Sequence, residues 1–254
     1  MKFPAAALLA MLVSSSPAFA LDAHGALEIA RQNAEKADFR ASGHLVRVDP
    51  AGVRTSYPIT VRAHWFPGVL RVLVELAPAS SAGQALHVLL EMHPGAASSI
   101  RVAHPGDPAP ATLPVDKWTD GLAGTGFSYE DFLESQLFWA SQSVTEHVKY
   151  GARDCDLVKS TSGSADKTHY SEVSTWLDRS IGFPVYVEKT VKGSGAIREF
   201  TYFGLRHDGG IWSASQVEEK NHGQPGSTLL IIDRGSAKAS LTLGDFSPER
   251  ITRF

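Results

Sequence analysis

The chain has one cysteine, Cys155, among its 254 residues, so no internal disulfide can staple the fold. That thiol stands between Asp154 and Asp156, whose charge raises a thiol pKa, and it reads as a buried structural group rather than a nucleophile. There is no cationic excess either: Lys and Arg number 24 against 27 Asp and Glu, for a net charge of −3, which excludes a polybasic footprint for nucleic acid. No apolar run reaches the ~20 residues that a membrane-spanning helix takes. The ten histidines are scattered, without the H-x-x-x-H or H-E-x-x-H spacing that holds zinc. His87 and His93 share one face of a strand candidate but stand too far apart to share an ion, and read as solvated. No G-x-S-x-G elbow, P-loop or dinucleotide fingerprint occurs. Ser160–Ser164 is a polar turn that needs no nucleophile to explain it, and Glu130-Asp131 read as first-turn acids suited to a helix dipole. These gaps leave no catalytic residue, metal or cofactor expected, and a non-enzymatic protein.

What is present begins with Met1-Lys2-Phe3-Pro4, an apolar stretch Ala5–Val13, then Ser14-Ser15-Ser16-Pro17 and Ala18-Phe19-Ala20. A positive start, a short apolar core and an A-x-A end are the parts a signal peptidase reads, so residues 1–20 are expected to be a cleavable signal peptide leaving Leu21 as the new N-terminus. No cysteine follows that site to carry a lipid, and loss of Lys2 takes the net charge from −3 to −4. An exported chain with a single thiol fits the bacterial periplasm better than a disulfide-rich secreted scaffold. Residues 21–254 are long enough to bury a core as a single domain.

Periodicity sets the elements. Leu27, Ala30, Ala34 and Ala37 fall on one side of a helix predicted over Asp22–Lys36. The period then becomes two. Tyr57, Ile59 and Val61 alternate with polar residues, as do Leu86, Val88, Leu90 and Met92, while Val69–Leu76 is apolar on both faces. His104–Pro114, with its prolines, reads as a loop. A second helix is predicted from Ser128 to Ala140: Ser128 and Asp131 sit as in a capping box, Phe127 and Phe132 as in a hydrophobic staple. Beyond about Thr145 the alternation is again that of strands. Val173, Thr175 and Leu177 oppose Tyr170, Glu172 and Trp176; Val185, Val187, Lys189 and Val191 oppose Tyr186, Glu188 and Thr190. Ile197–Leu205, Ile211–Val217 and Thr228–Asp233 follow, separated by glycine turns. The reading is a mainly β chain, roughly ten or eleven strands in an antiparallel meander with two main helices.

The order of these elements and four motifs resemble the LolA-like outer-membrane lipoprotein-sorting proteins. Gly126-Phe127-Ser128-Tyr129-Glu130-Asp131-Phe132 is similar to their central helix signature, and Tyr170–Asp178 to their Y-x-x-V-x-x-W-x-D strand. Phe183–Glu188 resembles the strand that follows, and Asp208-Gly209-Gly210-Ile211-Trp212 their D-G-x-W turn. The resemblance implies a half-open antiparallel β-barrel with helices over an apolar concave face. It also implies a carrier that shields acyl chains of lipids or lipoproteins on the way to the outer membrane. An inner-membrane transporter and an outer-membrane acceptor would then be its partners. A regulatory or sensor module of the same fold, binding lipoprotein or a membrane partner, is the alternative. Fold alone does not name the cargo.

A carrier of this kind needs a dry concave surface. The apolar candidates for it are Phe132, Leu137, Phe138, Trp139, Trp176, Tyr186, Phe200, Tyr202 and Trp212. Phe132 and Leu137 are expected to act as gates, and Glu134 to lie on the polar side of its helix, away from any ligand.

Overall fold

In the computed structural model, which describes residues 23–81 and 83–254, the alternating segments pair into one antiparallel sheet of thirteen strands. They are β1 Asp38–Val48, β2 Arg54–Phe66, β3 Val69–Leu76, β4 Leu86–Met92, β5 Ser99–Ala103, β6 Ala111–Thr112 and β7 Ser141–Tyr150. Then come β8 Arg153–Thr161, β9 Tyr170–Asp178, β10 Phe183–Val191, β11 Ile197–Asp208, β12 Ile211–Asn221 and β13 Ser227–Ser236. The order is β6-β5-β4-β3-β2-β1-β13-β12-β11-β10-β9-β8-β7, so every neighbour is consecutive except where β13 returns beside β1. β6 and β7 are the two edges and do not meet, which leaves a half-open barrel. Thirteen strands exceed the ten or eleven expected. β5 and β6 span only five and two residues, too few for alternation to register, and β6 falls inside the expected His104–Pro114 loop. The expected signal peptide, with Asp22, lies outside the described residues.

The concave face carries the main core. Leu45, Val61, Val74, Val88, Leu90, Val173, Val187 and Phe200 meet Trp118, Leu122, Phe127 and Leu133 from the long segment between β6 and β7. β3 and β4 are apolar on both sides, and an antiparallel strand of that kind needs cover on both. Leu73 and Leu89 accordingly face the convex side, where Leu241, Phe246 and Ile251 of the C-terminal segment cover them. That segment ends in a one-turn helix, α2, at Pro248–Ile251. His87 shares this convex face and is buried rather than solvated: its Nδ1 bonds the Ile251 carbonyl at 2.7 Å, and its ring stacks on Phe254 with centroids 4.0 Å apart. His93 is exposed. Cys155 is buried, and burial pushes its thiol up.

The first helix, α1, runs Ala23–Glu35, close to its expected bounds, and seats Leu27 and Ala30 against Leu137, Val158 and Leu177. The second expected helix is not one. Two 3-10 turns, Tyr129–Phe132 and Ser135–Phe138, replace Ser128–Ala140, with Leu133 extended between them at φ −108°, ψ 115°. The capping signal was real: the Ser128 N–H and hydroxyl donate to Asp131 Oδ2 at 2.8 and 2.7 Å. What overrides helix propensity is the need to reach separate surfaces. Phe127 and Leu133 enter the main core, while Leu137 joins the cluster beneath α1, and one α-helical face cannot serve both. In β9 one extra residue, Ser171, sits between the pairs Thr190↔Glu172 and Val191↔Tyr170. This bulge turns Tyr170 into the core beside Val173, against the plain alternation.

Candidate functional site

Along β11 the inward side chains are Arg198, Phe200 and Tyr202, and they pass from a buried ionic cluster to an apolar cavity. At the ionic end Arg198 pairs with Asp131 at 2.8 Å and with Glu219 of β12 at 3.2 Å, and Lys189 of β10 reaches Asp131 at 3.0 Å. All four side chains are buried. Tyr170 donates its hydroxyl to Asp131 Oδ1 at 2.8 Å, and Arg198 also bonds the Gly126 carbonyl. The Gly126 N–H donates to Thr228 Oγ1 at 2.7 Å. Gly126 must be glycine here, because a Cβ at that position would collide with the Glu219 carboxylate. Burial alone would raise the Asp131 pKa; Arg198 and Lys189, with the Ser128 hydrogen bonds, overcome it and hold the carboxyl well below its usual range. Glu130 goes the other way. Burial, reinforced by the Asp131 charge, pushes it up to about 7, although the His169 N–H donates to both its oxygens at 3.2 and 3.3 Å. The cluster clamps the Gly126–Phe132 segment onto the sheet.

The cavity forms where the sheet parts. β11 and β12 stay paired from Arg198↔Asn221 to Asp208↔Ile211, whereas β12 meets β13 only from Gln216↔Ile231 to Glu219↔Thr228. β10 pairs with β11 only as far as Tyr186↔Thr201. The far half of the β11–β12 hairpin therefore stands free of both neighbours. Gly204, at φ +59°, lies at its base with the Ser215 side chain where a Cβ would sit. Behind the hairpin is a half-open cavity of about 310 Å³. One wall is α1, with Ala30, Asn33, Ala34 and the following Ala37; another is Phe132, Glu134 and Leu137. The sheet supplies Phe39, Val61 and Ala63, Phe183 and Pro184, Tyr202, Ile211–Ala214, Val217, Leu230 and Ile232. Its lining is overwhelmingly aliphatic and aromatic.

Of the nine side chains the sequence singled out, Phe132, Leu137, Tyr202 and Trp212 stand on this cavity. Phe200 is in the main core, two residues short of it. Trp139 is buried in the same core, and Phe138 packs between core and α1 cluster, 5.2 Å from the Trp65 ring. Trp176 and Tyr186 point outward, where Tyr186 stacks on Tyr150 at 5.2 Å and meets Trp176 edge-on at 4.9 Å. Glu134 is not on a remote polar side: it lines the cavity and accepts a hydrogen bond from the Tyr202 hydroxyl at 2.9 Å. The ionic cluster escaped the sequence reading. Its signal was there, since Lys189 occupies the apolar phase of β10 with Val185 and Val187, and a lysine in that phase needs a buried partner.

Among the described residues no group of three or more His, Cys, Asp or Glu could hold a metal ion, and no helix is long and apolar enough to cross a membrane. The profile of a protein family described as "Uncharacterized protein" matches residues 71–253. The chain belongs to that family. No curated protein matches it. Solved structures do. It is similar to a domain from Vibrio parahaemolyticus assigned as an outer membrane lipoprotein-sorting protein, with 18% identity and a TM-score of 0.77 over 89% of this chain and 98% of that one. A DUF1329 family protein from Desulfovibrio piger gives 12% identity and a TM-score of 0.77 over 90% and 98% of the two chains. A LolA superfamily protein from Nitrosomonas europaea gives 16% and 0.60 over 87% and 98%. At such identities the likeness is one of fold, and the fold is LolA-like.

Proposed function

We propose that this protein is a non-enzymatic periplasmic carrier that shelters an acyl chain of a lipid or lipoprotein in the cavity beneath the β11–β12 hairpin. The observation that carries this reading is the half-open, apolar cavity of about 310 Å³. A methylene is about the size of a water molecule, ~30 Å³, so the cavity takes about ten of them. Burying ten methylenes is worth about 8 kcal/mol at ~0.8 each, enough to hold a chain in water yet release it to a membrane, which offers the same shelter over more carbons. The signal-like residues 1–20 support export to the periplasm, and the relation of fold to lipoprotein-sorting proteins supports the outer membrane as destination. Transfer from an inner-membrane transporter to an outer-membrane acceptor belongs to the same proposal.

The test is mass spectrometry of organic extracts from the purified protein, together with titration of a fluorescent acyl probe. Ala34→Phe, on the α1 wall, fills the cavity from a half-buried position. It is expected to weaken probe binding at least about tenfold while shifting stability by no more than about 1 kcal/mol. If wild-type protein binds no acyl probe and yields no lipid, the carrier reading fails and a regulatory module binding a protein partner takes its place.

A further inference from the structure

The cavity wall is apolar almost throughout, and its charged group is a single carboxylate. Glu134 stands on it between the two 3-10 turns and receives one hydrogen bond, from the Tyr202 hydroxyl at 2.9 Å. Asp131 is neutralised by Lys189 and Arg198, and Glu219 by Arg198. Glu134 makes no ion pair among the described residues. Arg31, the cation of α1 closest in sequence to the cavity-lining Ala30 and Asn33, is committed elsewhere, to the Leu137 carbonyl at 2.6 Å and to Gln142 at 2.5 Å. Asn33 gives one of its two Nδ2 hydrogens to the Ile181 carbonyl at 3.2 Å and is neutral, so it adds no positive charge to the wall. Tyr202 has spent its proton on Glu134. Ser213 adds a hydroxyl that serves either way. The charge on the cavity wall is thus negative, and among the described residues no cation offsets it.

An ionised carboxylate offers about four acceptor sites. A chain entering the cavity strips water from those that Tyr202 leaves open, and an unpaired carboxylate tolerates that poorly. The loss is made good only if the ligand brings donors of its own. We infer that the cavity selects single-chain amphiphiles whose polar end is an ammonium group, held against Glu134, and discriminates against fatty-acid anions. This rests on the acyl-carrier reading above and adds the chemistry of the head to it. A charge-assisted N–H···O⁻ contact rewards the ammonium, whereas a second carboxylate meets like charge across the same few ångströms.

The test is displacement of the fluorescent acyl probe from the wild-type protein by dodecylammonium, dodecanol and dodecanoate, at neutral pH and below their micelle concentrations. Dodecylammonium is expected to compete at least about tenfold better than dodecanoate, with dodecanol between them. Glu134→Gln keeps the shape and removes the charge; it should bring the three within about threefold by weakening the amine and strengthening the acid. Tyr202→Phe frees Glu134 entirely and should widen the preference, a response that a merely structural carboxylate would not give. Equal displacement by all three in wild type, or a preference unchanged in Glu134→Gln, overturns the inference and leaves the carrier reading standing. Failure of the probe to bind at all removes both. The wild-type comparison decides even if Glu134→Gln does not fold.

Discussion

Two neighbouring stretches of β11, around Arg198 and around Tyr202, use one concave face for opposite purposes. Around Arg198 every polar atom of consequence is paired: Asp131, Glu219, Lys189 and Tyr170 close a buried cluster that holds the Gly126–Phe132 segment down. Four residues on, around Tyr202, strands β12 and β13 part and the apolar side chains face empty space. β13 repeats the change, from Thr228, which anchors Gly126, to Leu230 and Ile232 on the cavity. The lesson is a division of labour: a cavity lined by unsatisfied apolar surface weakens the sheet locally, and the neighbouring cluster fixes the loop that forms its wall. Buried ion pairs add little net stability against apolar isosteres but are costly to break, which suits a positional role.

The largest effect is expected at Arg198, which joins both carboxylates of the cluster. Arg198→Met leaves buried Asp131 with one of its two cations and buried Glu219 with no ion-pair partner among the described residues, and is expected to cost about 3–5 kcal/mol, read from urea midpoints. A loss below about 1 kcal/mol would mean that the cluster is not a clamp.

The next effect is a pH dependence. Glu130 is buried and its pKa is raised to about 7, while the unfolded chain ionises near 4.5. Its stabilising contribution is therefore complete below pH ~4.5 and is lost as pH rises through ~7, on the order of 3 kcal/mol in all. Asp131 has the opposite sign: its depressed pKa contributes stability above the ordinary carboxylate range, lost only in strong acid. Glu130→Gln should flatten the stability profile between about pH 4.5 and 7 and leave the acid limb in place. Parallel profiles for wild type and variant across that window would contradict the assignment.

Gly126→Ala comes third. Its Cβ would meet the Glu219 carboxylate, itself fixed by Arg198, so the loop must shift and about 1–3 kcal/mol is lost. Calorimetry at neutral pH reads this directly.

How much of this was legible in the sequence follows from the range of each interaction. α1 and the longer strands are local in origin, and Leu27, Ala30 and the alternation of β4 or β10 announce them. The 3-10 breaks at Leu133 and Glu134 are not local. They arise because Phe127, Leu133 and Leu137 are claimed by different clusters, which only the folded sheet defines. Asp131 likewise looked like a dipole-suited first-turn acid. Its partners Lys189 and Arg198 lie 58 or more residues away. Four cavity residues were found because they are apolar and on inward phases; Trp176 and Tyr186 misled because an outward aromatic pair has the same composition as an inward one.

The smallest effect sets a packed residue of β11 against a cavity residue of β13, two strands away in the sheet. Phe200 is 2% exposed and surrounded by core, so Phe200→Ala removes both its transfer energy and its contacts, at about 3–5 kcal/mol. Ile232 is half-buried and borders the cavity. An apolar side chain with no neighbour on one side has already forfeited the dispersion contacts there, and its removal merely enlarges a space that exists. Ile232→Ala is therefore expected to cost only about 1 kcal/mol, well below the 2–5 typical of a core isoleucine. It should instead weaken acyl-probe binding, because the contacts Ile232 lacks in the empty protein are those the ligand supplies. Equilibrium unfolding with and without saturating probe separates the two quantities. The variant should lose more stability with probe present than without it. Equal losses in both conditions would show that Ile232 is ordinary core and that the gap between β12 and β13 does not take the chain.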